Sequence, residues 1–389
     1  MTFSAASLYA HVSTISKEVG PRLATSVTER SMAYYIETCL QRYGLQSLRQ
    51  NFNTLERYSK RLMPQIVLSA AATGMSLIPN KRWGWLTGLF GVGLFWHGQR
   101  ILRGAPAAWE HIFTDAVSQN VICRIPSRDE VRQRVILSAH LDTSFHRLSF
   151  HPKLLPVLSA LLAGVEIGTL SGSLLSLYRG ENEWSKQVRM AVAMYLMVGS
   201  LTVALDEFTT PVQGANDNAS GIGVLLGLAE LLAQEPLQHT EVWMVFTGSE
   251  EVGGAGMEAF LYEFAPELRD SWCIVLNTVG AGDLCWISDH SLSAATHYKP
   301  HPDAEAWAER VARRHPEWGV MGRDLTTLDE VAIANRYGLR GIRLTGLDRL
   351  SGYVPNQHRV TDTLDHIDAC TLQKAADFTL AMLRDLDMQ

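Results

Sequence analysis

Short apolar runs alternate with amphipathic stretches along most of this chain. Residues 135–138 and 242–246 are compact apolar runs bounded by polar or charged positions, the pattern of buried strands. Residues 120–125, 273–276 and 341–344 read the same way, and the more polar 46–53 reads as an edge strand. Helical periodicity covers 5–43, with a break at Gly20-Pro21 and a stop at Gly44. It returns at 221–233, 257–264, 304–314, 330–337 and 372–386. Strand and helix signals in alternation predict an α/β fold, a central and mostly parallel (mixed) sheet flanked by helices. In such sheets a ligand site forms beyond the carboxyl ends of the strands.

Four longer apolar segments interrupt that alternation, at 62–79, 83–99, 154–178 and 190–205. They predict two inserted hydrophobic helical hairpins, 61–111 and 151–206, within a catalytic domain made of 1–60, 112–150 and 207–389. The third segment is long enough to cross a bilayer, and the others sit near the lower limit of about 17 residues. Trp83, Trp85 and Trp96 flank the second segment as interfacial anchors do. Gly164, Gly168 and Gly172 form a tandem GxxxG face on the third, suited to close helix packing or a homo-oligomeric contact. Glu166 on that helix needs a partner or a polar cavity. The competing expectation is a buried lid or dimer interface, because Gln65, Glu166 and Arg189 are polar and three segments are short. In either case the two hairpins are expected to lie together.

Composition changes this picture little. The chain is 47% hydrophobic, 19% charged and carries a formal net charge of −6, so nucleic acid is not an expected partner. Its five cysteines show no paired metal-finger spacing, and Cys123 and Cys273 sit in apolar runs as buried thiols. Unpaired cysteines, and an amino-terminal stretch without a cleavable-signal pattern, favour a reducing compartment for the catalytic part. Counting Lys and Arg near the segment ends, including Lys81 and Arg179 on the far side, gives a thin excess on the catalytic side. That predicts a multi-pass inner or plasma-membrane protein with its catalytic domain in the cytoplasm.

The candidate chemistry lies at the strand ends. His140 and Asp142 follow the 135–138 strand two residues apart, so both project to one side of an extended segment. Glu250 and Glu251 follow the 242–246 strand, Asp217 precedes the 221–233 helix, and His358 lies in a polar loop. Imidazole and carboxylate donors suit a catalytic zinc ion, which takes nitrogen and oxygen ligands and keeps a position open. Two adjacent glutamates can divide the work, one as ligand and one moving a proton. Taken singly, the Asp217-Asn218 pair also fits a turn with a helix cap, and His358 an exposed loop histidine. His146, His290 and His301 read as surface residues, and Asp283 and Asp289 as turn residues.

Five ordered motifs make the set specific. They are Ser138-Ala-His-Leu-Asp-Thr143, Gly214-Ala-Asn-Asp-Asn-Ala-Ser-Gly221, Phe246-Thr-Gly-Ser-Glu-Glu251, Val275-Leu-Asn-Thr-Val-Gly280 and Asn356-Gln-His-Arg-Val-Thr-Asp-Thr-Leu-Asp365. With these the chain resembles the zinc-dependent aminopeptidase family, peptidase family M28, which also includes glutamate carboxypeptidases and glutaminyl cyclases. The run Ile15-Ser-Lys-Glu-Val-Gly-Pro-Arg22 is similar to that family's opening helix. The resemblance implies that His140 and His358 are zinc ligands, that Asp217 bridges two metals, that Glu251 is a ligand and that Glu250 is the general base. It implies that Asp142 sits behind His140 and accepts its second N–H, and that the peptide after Asp217 is cis. Tyr353 is a weaker candidate for steadying an oxyanion.

One position departs from the family pattern: its usual aspartate is Asn277 here. A neutral amide oxygen binds zinc less well than a carboxylate, so the metal site of His140, Asp217 and Asn277 is expected to be the weaker one. The site of Asp217, Glu251 and His358 keeps its ligands, which predicts one tight zinc and at most a second, weaker one. The leading expectation is a membrane-anchored aminopeptidase-like hydrolase acting on peptides. The alternatives are a single-zinc glutaminyl-cyclase-like transferase and a non-catalytic membrane binding protein.

Overall fold

The computed structural model describes residues 4–78, 80–114, 116–178, 182–291, 293, 296–325 and 329–389. Its elements in order are α1 (Ala5–Thr14), α2 (Val27–Arg42), β1 (Ser47–Thr54), α3 (Tyr58–Met75), α4 (Lys81–Leu102) and α5 (Glu110–Phe113). Then come β2 (Ala116–Ile125), β3 (Gln133–His140), α6 (Leu155–Leu177), α7 (Glu183–Asp206), α8 (Gly221–Gln234) and β4 (Thr240–Thr247). The remainder is α9 (Ala255–Leu268), β5 (Trp272–Leu276), β6 (Asp283–Ser291), β7 (His297–Tyr298), α10 (Pro302–Arg314), β8 (Met321–Leu325), α11 (Glu330–Arg336), β9 (Arg340–Leu347) and α12 (Ala369–Asp387).

The strands form one mixed sheet in the order β1-β2-β4-β3-β5-β9-β6-β7, with β8 paired to β6. The central strands β4, β3, β5 and β9 run parallel, and the outer pairings are mostly antiparallel. Side chains alternate across the sheet. Leu137, Met244 and Ile274 face one layer containing α1, α8 and α12, whereas Ile136, Trp243 and Val275 face the other with α9 and α11. The strands expected at 46–53, 120–125, 135–138, 242–246, 273–276 and 341–344 all form. Strands β6, β7 and β8 were not expected. Asp283 begins β6 and Asp289 lies within it, so neither is a turn residue.

The four apolar segments form α3, α4, α6 and α7, which pack as one bundle, α3 against α7 and α4 against α6. Only α6 and α7, among the described residues, contain stretches long and apolar enough to cross a membrane. Helix α7 is longer than its apolar segment because its polar first turns join it: Asn182 caps them, and Arg189 turns inward to donate to the Ser76 carbonyl at 2.7 Å. The other polar residues also find partners inside the bundle. Gln65 donates to the Leu94 carbonyl, and Glu166 accepts from Gln99, Ser293 and Thr296. The glycine face of α6 meets the chain's own side chains, Tyr195 at Gly164 and Thr73 at Gly172, instead of lying open for a second copy. Pro79, Arg179 and Glu181 lie outside the described residues, as does the Lys81 side chain.

Candidate metal centre

Strands β3, β4 and β5 are adjacent and parallel, so their carboxyl ends deliver residues to one place. His140 ends β3 directly opposite Thr247 at the end of β4, and Asn277 follows the last residue of β5. Gly248 and Ser249 lead from β4 to Glu250 and Glu251, with Ser249 at φ 54°. The loop before α8 brings in Asp217, and the loop before α12 brings in His358. Of the sequence candidates, six converge: His140, Asp142, Asp217, Glu250, Glu251 and His358.

Asp217 stands between the two histidines. Its Oδ1 is 3.1 Å from His140 Nε2, and its Oδ2 is 3.3 Å from His358 Nε2. His358 Nε2 is also 3.0 Å from Glu251 Oε1. Ligand atoms of Asp217, Glu251 and His358 all lie within 4.8 Å of one another, and all three residues are buried. Asp217 Oδ2 and Glu251 Oε1 have no hydrogen-bond donor, although they are shielded from solvent. Two buried anionic oxygens without a hydrogen bond converge with an imidazole nitrogen, a set that fits a divalent cation, and its N/O chemistry fits zinc. Asn277 Oδ1 is likewise buried without a partner, and Asn277 lines the same cavity.

A surrounding set of groups holds these donors. The Asp142 carboxylate accepts from the backbone N–H of Glu250 and of Glu251, each at 2.9 Å. It lies 3.6 Å from His140 Nδ1, while its own carbonyl is the nearer acceptor at 3.1 Å. Asp142 therefore sits behind His140 as expected, but its carboxylate chiefly orients the two glutamates. Asp362 accepts from the N–H of Asn216 and Asp217, and the Asp217–Asn218 peptide is cis. Arg22, fully buried, donates to the carbonyls of Leu141, Gln213 and Gly214 and so pins the loops carrying Asp142 and Asp217. Glu29 accepts from Ser249 N–H and Ser118 Oγ, fixing the turn into Glu250.

Charge at the site follows from burial and crowding. Burial raises the Glu250 carboxyl well above its ordinary range, and the neighbouring Glu251, Glu330 and Asp142 carboxylates add to this against the opposing pull of His140. Burial alone would lower His140, but Glu250, Asp142 and Asp217 outweigh it and hold the imidazole well above its usual value. Asp217 is raised by burial yet ends far below the normal carboxylate range because both histidines face it. Burial pushes Asp362 up to about 7 and Glu29 up to about 8.

Other expectations change. Tyr353 is only half-buried and does not line the cavity; its backbone closes a turn with Asp348 and Ser351. His290 is fully buried, not a surface residue, and its Nδ1 pairs with Asp329 at 3.0 Å. Sequence reasoning missed Arg147, whose Nη2 is 3.4 Å from Glu251 Oε2, and Tyr58, whose ring lies 5.2 Å from the Arg147 guanidinium. It also missed Arg22, Glu29 and Asp362, although Arg22 and Asp362 stand inside the motifs that drew notice.

Comparison with known proteins bears on the fold. Residues 195–383 match the family model of Peptidase family M28. A probable lipoprotein aminopeptidase, LpqL, of Mycobacterium tuberculosis is 26% identical over a stretch covering 41% of this chain and 37% of its own length. The chain thus spans little more than a third of that curated relative. Among solved structures, a zinc aminopeptidase from Bacillus subtilis superposes with a TM-score of 0.59 at 15% identity, covering 99% of this chain and 95% of its own. A Zn-dependent exopeptidase from Parabacteroides distasonis gives 0.57 at 16%, covering 98% and 97%. Glutaminyl cyclase from Bacteroides thetaiotaomicron gives 0.57 at 17%, covering 99% of both chains. The fold is that of the zinc aminopeptidases, and the resemblance read from the five motifs is borne out.

Proposed function

We propose that this protein is a zinc-dependent, aminopeptidase-like hydrolase of peptide bonds, held at a membrane by its inserted hairpins. The observation that carries this reading is the buried convergence of Asp217, Glu251 and His358 at the strand ends, with Glu250 beside them. A zinc ion held by those three residues supplies Lewis acidity toward a carbonyl oxygen and toward water. Glu250 takes the proton of the attacking water and returns it to the departing amine nitrogen. Burial raises its proton affinity, the direction that favours returning the proton to the leaving nitrogen. Asp142 fixes the backbone of Glu250, so the carboxylate is aimed before substrate arrives. His140, Asp217 and Asn277 would hold a second, weaker metal.

The neutral Asn277 favours a second reading, a glutaminyl-cyclase-like transferase with one zinc. The membrane part of the proposal is supported by the exposed apolar faces of α6 and α7, where Ile167, Leu174, Met194 and Met197 are each more than half exposed. The thin excess of Lys and Arg on the catalytic side supports a cytoplasmic orientation. A panel of aminoacyl anilides and of glutaminyl peptides, run with chelator and with restored zinc, separates the readings. Zinc-dependent release of several amino acids supports the hydrolase. Ammonia release from glutaminyl peptides alone replaces it with the cyclase.

A further inference from the structure

A cavity of about 760 Å³ joins the metal centre to the interior of the helical bundle. Asp217, Glu250, Glu251, Asn277 and His358 line one end. The other end is walled by the near halves of all four bundle helices, by Leu62 and Ile66 of α3, Phe95 of α4, Leu158 and Leu162 of α6 and Val203 of α7. Between Leu158 and Thr169 of α6 this wall runs about 16 Å at the α-helical rise. Charged residues Arg57, Arg147, Asp206 and Glu207 also line the cavity.

The chamber is closed at the far end of the bundle, where α4 and α6 touch. At the far ends glycines let the helices touch: a Cβ at Gly88 of α4 would lie 2.7 Å from Leu177 Cγ of α6, and Gly91 would meet Ser173. Leu161 and Val198 line the chamber and are half-exposed or more, so it is not sealed on the α6–α7 side.

The chamber's chemistry selects its occupant. A peptide threaded there would need hydrogen-bond partners for its backbone, which are costly to omit in an apolar space. The wall offers few, and those are engaged. Gln65 bonds Leu94 and His97, Thr169 bonds the Val165 carbonyl, and Glu166 bonds Gln99, Ser293 and Thr296. An aliphatic chain asks for none.

We infer that the substrate is an aminoacyl amide whose amine portion carries a long aliphatic chain, with the chain in the bundle chamber and the amide at the metal centre. This deepens the hydrolase reading and rests on it for the reaction. Water adds its oxygen to the carbonyl carbon, the C–N bond breaks, and the nitrogen leaves with a proton, giving an amino acid and an alkylamine.

Two measurements test it on the full chain in detergent or nanodiscs. First, a panel of aminoacyl propyl-, hexyl- and dodecylamides is compared below their aggregation limits. Values of kcat/KM should rise about two- to fourfold per methylene added, the scale of burying hydrocarbon. In Leu158→Trp and Val203→Trp the dodecyl-over-propyl ratio should fall toward one. Second, an aminoacyl alkylamide bearing a terminal diazirine is photolysed on Glu250→Gln protein and its adducts are mapped. Adducts on Leu62, Ile66, Phe95 or Leu162 support the chamber even if no amide is hydrolysed, which would sink only the hydrolase reading. Turnover of short amides without chain-length gain, or adducts confined to the outer faces of α6 and α7, overturns the inference and leaves the hydrolase standing.

Discussion

Arg61 of α3 donates from Nη1 to the carbonyl of Gly253 at 2.9 Å, two residues beyond Glu251. The first residues of the inserted hairpin therefore hold the loop that carries a proposed metal ligand. Arg61 is buried, and it also donates to the Ala105 carbonyl and pairs with Glu110 at 3.1 Å. Gly253 itself has φ 119°, where a side chain is strained, and a Cβ there would collide with this guanidinium. The hairpin and the site are thus one mechanical unit at this point.

Arg61→Gln should therefore loosen the Glu251 loop. Losing an outer-shell support of a metal ligand costs about 10- to 100-fold in metal affinity. Zinc competition against a chelator reads this directly, with far-ultraviolet circular dichroism as the control for folding. Zinc affinity equal to that of the natural protein, in a folded variant, would show that the contact is incidental.

Glu250→Gln should keep the fold and the tight zinc, because the amide still fits the space and Glu250 is not among the three converging ligands. Turnover should fall by about 10² to 10⁴, the usual contribution of a positioned general base. Zinc content by atomic emission and kcat on the best aminoacyl substrate check the two halves. Near-normal kcat would remove Glu250 from the mechanism.

Unequal metal occupancy follows from Asn277. Glu251→Ala or His358→Ala should abolish the tight zinc and activity together, since each removes one of three converging donors. Asn277→Asp should instead tighten a second zinc, because a carboxylate would occupy the place of an unpartnered amide oxygen. Calorimetric titration of the metal-stripped proteins distinguishes one from two sites. Two equally tight zincs in the natural protein would contradict the weakening assigned to Asn277.

Two of the candidate motifs were legible because each follows a short apolar strand, His140 and Asp142 after β3 and Glu250 and Glu251 after β4, whereas Asp217 and His358 drew notice only through the family resemblance. What holds the motifs was not legible. Arg22 and Glu29 act on loops far away in sequence, and neither local pattern nor periodicity encodes a partner that only the tertiary fold supplies. Strand β6 escaped notice because its outer half carries Ser288, Asp289 and His290, and His290 is made tolerable by burial against Asp329. Tyr353, the weaker oxyanion candidate, had no strand or motif to place it, and its side chain does not line the cavity.

Membrane attachment predicts recovery of the protein with membranes and release only by detergent. The exposed hydrophobic residues of α6 and α7 would otherwise face water over most of two long helices. Protease added to intact cells should spare the catalytic domain and should cleave it once cells are opened. Recovery in the soluble fraction after high-salt washing would reject the anchor, whereas cleavage in intact cells would reject only the orientation.

His11 gives the protein a pH-dependent stability separate from the metal site. It projects from α1 toward α2, with Nδ1 2.8 Å from Tyr35 Oη and Nε2 3.1 Å from Tyr43 Oη, and burial lowers its proton affinity. In the unfolded chain its imidazole titrates near the ordinary value of 6.5, while the native state keeps it neutral to lower pH. Below 6.5 the unfolded state binds the extra proton, so stability is lost as pH falls and is fully present above it. The slope attributable to this residue is at most about 1.4 kcal/mol per pH unit. His11→Gln should be less stable at pH 7.5, where it loses well-made contacts to both tyrosines, yet should lose less on going to pH 5.5. Thermal melts of both proteins at the two pH values give the comparison, and parallel declines in Tm would rule His11 out as the source.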